Sequence, residues 1–151
     1  SSLVAILTDA VKYKLKHDDT SWGEEPYSER EVRGLIKIGE TYAVLSDDVV
    51  IGTFGLHWKD ERIWGVRPDD AGYIHRLAIR DNLHGHDIGQ QIINWAVSEV
   101  ARQGRNFLRL DTDSRNSGLC KYYEKQGFIN VGKVLIPSSK DYFATLYERQ
   151  I

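Results

Sequence analysis

The sequence predicts an α/β domain in which a mixed sheet carries helices on its faces. Three observations predict it. Apolar residues recur at helical steps in two long stretches, β-branched and aromatic runs of strand length lie between and after them, and the central part reads strand, loop, helix, strand in direct succession. At 151 residues the chain fits one domain with one core, so residues 1–151 are expected to form a single unit with one active site.

Taking the elements in order, Leu3, Ile6, Leu7, Ala10 and Val11 recur every three or four residues and predict an amphipathic helix running towards His17. The polar stretch that follows, with Trp22, Gly23 and Pro26, reads as a loop whose tryptophan could cover a pocket. Ser28 and Glu31 have the spacing of a capping box and start a second helix through Leu35 and Ile38, stopped by Gly39. Residues 42–45 and 49–58 flank Ser46, Asp47 and Asp48 and predict an antiparallel hairpin. Residues 60–70 read as a connecting loop, and the charged run 59–62 as a solvated turn.

Residues 73–79 form the next predicted strand, and a polar loop over 80–87 leads into a helix. Ile88, Ile92, Ala96, Val97 and Val100 line one side of that helix, and Gly104 ends it. Residues 107–110 predict a strand, 119–126 a short helix, and 129–136 with 142–147 a final strand pair. The sequence has no repeat, low-complexity tract or linker.

Composition narrows the function classes. Lys and Arg total 20 against 22 for Asp and Glu, a net charge of −2 with no basic block to track a phosphate backbone, so nucleic acid is not an expected partner. Cys120 is the one cysteine and cannot supply an internal disulfide or a multi-thiolate metal site. On an amphipathic helix it reads as a small core residue rather than a nucleophile. No apolar run is long enough to span a membrane, and the start lacks a basic leader, so the expected setting is the cytoplasm.

A strand, a glycine-containing loop and a helix in succession make a generic anion site, because unpaired amides at the helix start and the helix dipole both favour negative charge. A dinucleotide fingerprint would need G-x-G-x-x-G, and a P-loop a Lys followed by Ser or Thr; neither is present. What is present is Leu77-Ala78-Ile79, then His84-Gly85-His86-Asp87-Ile88-Gly89, then Asn116 ahead of Tyr123-Glu124-Lys125-Gln126-Gly127-Phe128. These segments resemble, in type and spacing, the motifs of the GNAT family of N-acetyltransferases, in its small bacterial form.

The resemblance implies a mostly antiparallel mixed sheet and acetyl-coenzyme A as co-substrate. It implies that Leu77, Ala78 and Ile79 offer main-chain groups to the acetyl-pantetheine arm, that the loop through His84, Gly85, His86, Asp87, Ile88, Gly89 and Gln90 wraps the pyrophosphate, and that Asn116 contacts the coenzyme from the opposite side. Tyr123 would protonate the departing thiolate, and a strand amide, that of Leu77, would hold the acetyl oxygen. The reaction implied is direct transfer to an amine. The acceptor is a small molecule or a protein amine, and homodimers are common among relatives. The chain begins at the family's first helix, so a segment carrying the preceding strand is expected to be missing.

Two positions depart from the family's loop, which reads Arg or Gln, two residues, Gly, one residue, Gly or Ala. His84 stands at the basic position, and Asp87 stands where the inner Gly is expected. Asp87 brings a Cβ and a negative charge beside a phosphate, and could also cap the helix and compete with the ligand for its first amides. The alternative reading is therefore a coenzyme A binding or sensing module with weak or lost transfer.

For a general base, strand alternation puts Tyr73, His75 and Leu77 on one face and makes His75 the candidate, with Asp111 and Asp113 as alternatives. His75, His84 and His86 lack the helical pairing or thiolates of a metal centre, so no metal is expected. Trp22, Tyr27, Trp58 and Trp64 are candidates for an acceptor pocket or for packing.

Overall fold

The computed structural model describes residues 1–138 and 140–151. Ser1 accepts the Val4 amide through its hydroxyl and opens α1, Ser2–Lys16. The predicted capping box is present: the Ser28 side chain accepts from the Glu31 amide while Glu31 reaches back, starting α2, Glu29–Lys37. The hairpin forms from β1, Thr41–Ser46, and β2, Val49–His57. There follow β3, Ala71–Ile79; α4, Ile88–Arg102; β4, Phe107–Asp113; α5, Ser117–Lys125; β5, Ile129–Ile136; and β6, Tyr142–Gln150.

One difference from expectation lies in residues 60–70. Asp60 accepts the Ile63 amide through its side chain at 3.3 Å and caps a short helix, α3, Glu61–Trp64. The supposed solvated turn is thus a helix start, with Asp60 turned inward and only 7% of its side chain exposed. Local polarity suggested a loop because four charged residues surround it; burial of Trp64 overrides that local signal.

The six strands form one sheet in the order β1-β2-β3-β4-β6-β5, antiparallel throughout except for β3 and β4. The helix α4 lays Ile92, Ile93, Ala96 and Val100 against Phe54, Leu56, Ile74 and Leu108 on one face. The helices α1 and α2 bring Ile6, Leu7 and Val32 to Ala78 on the other. Each of the larger apolar side chains removed from water here contributes about 1.5–3 kcal/mol.

The pairing of β3 with β4 positions the site. It lasts for three residue pairs, Ala71 with Phe107, Gly72 with Leu108 and Tyr73 with Arg109, after which the strands part. At the closed end Arg109 is buried, and its guanidinium donates to Glu148 at 2.7 Å and to the Tyr73 hydroxyl at 2.9 Å. Beyond it, β4 continues beside β6 as far as Asp113, so the unpaired edge of β3 faces an opening.

A candidate acetyl-transfer cleft

The opening is a cleft of about 890 Å³, walled by β3, the loop before α4, α5 and α1. Leu77, Ala78 and Ile79 line it from β3, and His84, Gly85, Asp87, Ile88, Gly89 and Gln90 from the loop and the start of α4. Asn116, Tyr123 and His75 line it as well. His86 does not: it is exposed and outside the lining, so of the loop residues expected around a pyrophosphate it is the one the cleft leaves out.

At the mouth of α4, Asp87 has a left-handed backbone (φ 57°) and makes no side-chain cap bond. The expectation that it caps the helix is corrected: its carbonyl accepts the Gln91 amide at 3.0 Å, while its carboxylate is exposed. Asp is among the few non-glycine residues that enter this conformation readily, which is how it replaces a glycine without rebuilding the loop. The amides of Ile88, Gly89 and Gln90 have no acceptor among the described residues, as the first turn of a helix leaves them. A Cβ at Gly89 would lie 2.5 Å from the Tyr122 hydroxyl, so any larger residue there must displace that ring.

The expected alternation along β3 fails at Arg76. Two steps on β2, Thr53 to Gly55, face three on β3, Ala78 to His75, and Arg76 takes a positive φ of 50°. This extra residue is a β-bulge, and it inverts the pattern beyond it. Tyr73 packs with Trp64 on one side of the sheet, whereas Leu77 joins Ile74 and Ile79 against the α4 core on the other. Leu77 and His75 therefore do not share a face, contrary to the period-two reading.

His75 meets two carboxylates. Its Nε2 lies 3.3 Å from Asp60 Oδ2, and Asp60, His75 and Asp111 each offer one atom to a cluster whose members lie within 4.8 Å of one another. Burial pushes the Asp111 carboxyl above its usual range, with the charge of Asp60 adding and that of His75 opposing. The His57 ring stands edge-on to His75 at 4.8 Å, is paired with Glu40, and is held below the usual imidazole range first by burial. Asp113 is committed elsewhere: buried, it accepts two bonds from the Arg115 guanidinium.

Tyr123 is buried beside Phe128 and Tyr147, and its hydroxyl has no hydrogen-bond partner among the described residues. Burial pushes its pKa far up, so it holds its proton firmly. Tyr122, shifted up by burial and then by Asp87, sits nearer the loop. Asn116 caps α5 through Oδ1 and donates from Nδ2 to the buried Asp19 at 3.0 Å. Asp19 also takes the Lys14 ammonium at 2.9 Å and the Ser21 amide, tying the loop after α1 to α5. Of the aromatic candidates, Trp22 and Tyr27 line the cleft; Trp64 is buried, and Trp58 packs on the α4 core under Arg105. Cys120 is half-buried against the same core.

Sequence reasoning missed Asp60 and Asp19. Neither carries a motif, and the one available signal, Asp60 three residues before the Ile63-Trp64 pair, is weak.

Strands that part beside the free start of a helix make a cleft able to seat an anionic ligand, and comparison with known proteins gives its class. The profile of the acetyltransferase (GNAT) family matches residues 8–128, and the chain belongs to that family. It is 23% identical over 108 residues to the uncharacterized N-acetyltransferase YesJ of Bacillus subtilis (strain 168), a match covering 68% of this chain and 59% of that protein, so the chain spans less than two thirds of that relative's length. A GNAT-family acetyltransferase structure from Listeria monocytogenes superposes with a TM-score of 0.73 at 20% identity, covering 97% of this chain and 86% of the other. One from Elizabethkingia anophelis with acetyl-coenzyme A bound gives 0.63 at 16% identity over 82% and 84% of the two chains. At these identities the structures establish the fold, a single mostly antiparallel sheet with helices on both faces.

Proposed function

We propose that this protein transfers the acetyl group of acetyl-coenzyme A directly to a primary amine. The observation that carries the reading is the unpaired edge of β3 beyond Tyr73, lying beside three free amides at the start of α4. A diphosphate seated on those amides, favoured by the helix dipole, would lay the thioester along the open strand edge. The structure in Elizabethkingia anophelis that holds acetyl-coenzyme A in the same fold supports this choice of co-substrate.

In this reading the Leu77 amide, next to the bulge, holds the acetyl oxygen as charge develops on it. His75 takes a proton from the amine, the nitrogen attacks the carbonyl carbon, the carbon–sulfur bond breaks, and Tyr123 gives its proton to the thiolate. The second proton on the nitrogen restores Tyr123, so an alkylammonium and a thioester become an amide, a thiol and one released proton. Much of the acceleration comes from holding both reactants in place. The residues proposed to hold the coenzyme are Leu77, Ala78, Ile79, His84, Gly85, Asp87, Ile88, Gly89, Gln90, Asn116 and Tyr123; Asn116 acts mainly by fixing α5, because its carboxamide is engaged at both ends.

The transfer as proposed uses no metal, and its proposed setting is the cytoplasm. Exposed Ile129, Val131 and Leu135 on the edge strand β5 make a homodimer the assembly to test first. The sensing-module alternative rested on the altered loop, His84 and Asp87 together; Asp87 makes no cap bond, which removes one of its grounds and leaves the exposed charge of Asp87 and the weaker base at His84. Calorimetry with acetyl-coenzyme A, followed by thiol release on adding a panel of amines, tests the proposal. Binding without acceptor-dependent thiol release overturns the transfer, and no association at millimolar concentration overturns the coenzyme assignment.

A further inference from the structure

Asp60, His75 and Asp111 come from three separate segments and meet on the cleft wall where β3 and β4 part. Asp60 spends one carboxylate oxygen on the Ile63 amide; the other, Oδ2, is buried and has no hydrogen-bond partner among the described residues. Its 3.3 Å approach to His75 lacks hydrogen-bonding geometry. No Lys or Arg pairs with Asp60 or Asp111 among the described residues, although Lys14 is committed to Asp19 close by. Two carboxylates thus converge with, at most, one imidazolium between them. Leaving a buried carboxylate oxygen unpaired is costly, and the arrangement is one that a cation entering the cleft completes.

We propose that Asp60 and Asp111 form an ammonium seat that takes the acceptor as a protonated primary amine and presents it to His75. The proposal rests on the transferase reading and sharpens it: Asp60 and Asp111 are the residues that hold the acceptor's ammonium, so a charged acceptor is selected over a neutral alcohol of the same size. Three N–H donors of an ammonium match the inventory of the site, which offers Asp60 Oδ2, an Asp111 oxygen and the imidazole nitrogen. Charge-assisted hydrogen bonds to two carboxylates are short and strong in a half-buried site, so they orient the nitrogen as well as attract it.

The test uses the whole protein, with and without coenzyme A, and follows by NMR titration the binding of n-butylammonium and of 1-pentanol, its neutral counterpart of similar size. Asp60→Asn and Asp111→Asn preserve shape, and Asn at position 60 can still cap α3. The double variant, checked for folding by thermal melting, is expected to bind butylammonium at least tenfold more weakly while its affinity for acetyl-coenzyme A stays unchanged. Pentanol is expected to show no saturable binding to the native protein. Equal butylammonium binding by native and double-variant protein, or pentanol binding as well as butylammonium, overturns the seat. One-to-one zinc binding at micromolar concentration that is lost in His75→Ala overturns it in favour of a metal centre. Because binding is read without turnover, the two readings fail separately: butylammonium bound without any acetyl-coenzyme A association sinks the transferase and leaves the seat, and the reverse sinks the seat alone.

Discussion

The two ends of the β3–β4 pair are built on opposite principles. At the closed end the charged groups are answered: Arg109 meets Glu148, Asp70 and Tyr73, and Arg105 donates to the Ala71 carbonyl at 2.9 Å, with the buried Trp64 indole N–H left as the exception. At the open end the Tyr123 hydroxyl, Asp60 Oδ2 and the first amides of α4 have no partner among the described residues. A buried polar atom without a partner costs stability, and at the open end Asp60 Oδ2 is such an atom on the wall of the cleft. The bulge at Arg76 sits in the open half and turns Leu77 away from His75, which separates the strand's apolar support from its polar chemistry.

The largest effect should come from Tyr123→Phe. If this hydroxyl is the proton donor, kcat should fall about 100-fold or more. The melting temperature should hardly change, because no protein group loses a partner. A kcat within threefold of native would move the acid role to Tyr122 or to water. Gly72→Ala probes the closed end instead. Its Cβ would lie 2.6 Å from Val100 Cγ2 and 3.2 Å from Leu56 Cδ1, so overpacking should cost about 1–3 kcal/mol in urea denaturation. The acetyl-coenzyme A affinity of the folded fraction should be preserved. An unchanged midpoint would mean that α4 can slide on the sheet, and the closed end would be less rigid than its contacts imply.

The same contrast explains what the sequence made legible. Every strand and every helix but α3 follows from local signals, since periodicity, the capping pair at Ser28 and Glu31, and Gly39 and Gly104 are each written within a few residues. The proposed coenzyme side was legible for the same reason: it is mostly main chain, presented by a contiguous loop and helix start. On the proposed acceptor side His75 and Asp111 were legible as candidate bases, but Asp60 and the meeting of the three were not, because the parting of two strands brings them together and no spacing along the chain encodes that. The face assignment of Leu77 failed on the Arg76 bulge, an extra residue without a glycine to announce it.

Asp111→Asn should separate stability from function at the open end. The folded Asp111 carboxyl titrates above its unfolded value, chiefly through burial, with Asp60 raising it and His75, Lys14 and Arg62 lowering it. A raised carboxyl favours the folded state when protonated; that contribution is complete in acid below the unfolded value and is lost as pH rises through the folded one. The Asn variant should therefore melt a few degrees higher at neutral pH and show no gain in strong acid. A variant less stable than native at neutral pH would mean that Asp111 is better compensated than its surroundings indicate.

The smallest expected effect is at Asp87, and it decides how the altered loop works. Asp87→Gly removes an exposed carboxylate at the mouth of α4 and frees a left-handed backbone position from its Cβ. A unit charge about 4 Å from a phosphate in water contributes about 1 kcal/mol, so acetyl-coenzyme A should bind about fivefold more tightly. The two causes respond differently to salt: charge repulsion is screened within about 3 Å at 1 M ionic strength, whereas a conformational gain persists. Calorimetry on both proteins in low and high salt should find the advantage of Asp87→Gly largely gone at high salt. An advantage that survives assigns the cost of Asp87 to its backbone, and no advantage in either buffer means that the carboxylate points away from the phosphates and the loop has absorbed the substitution.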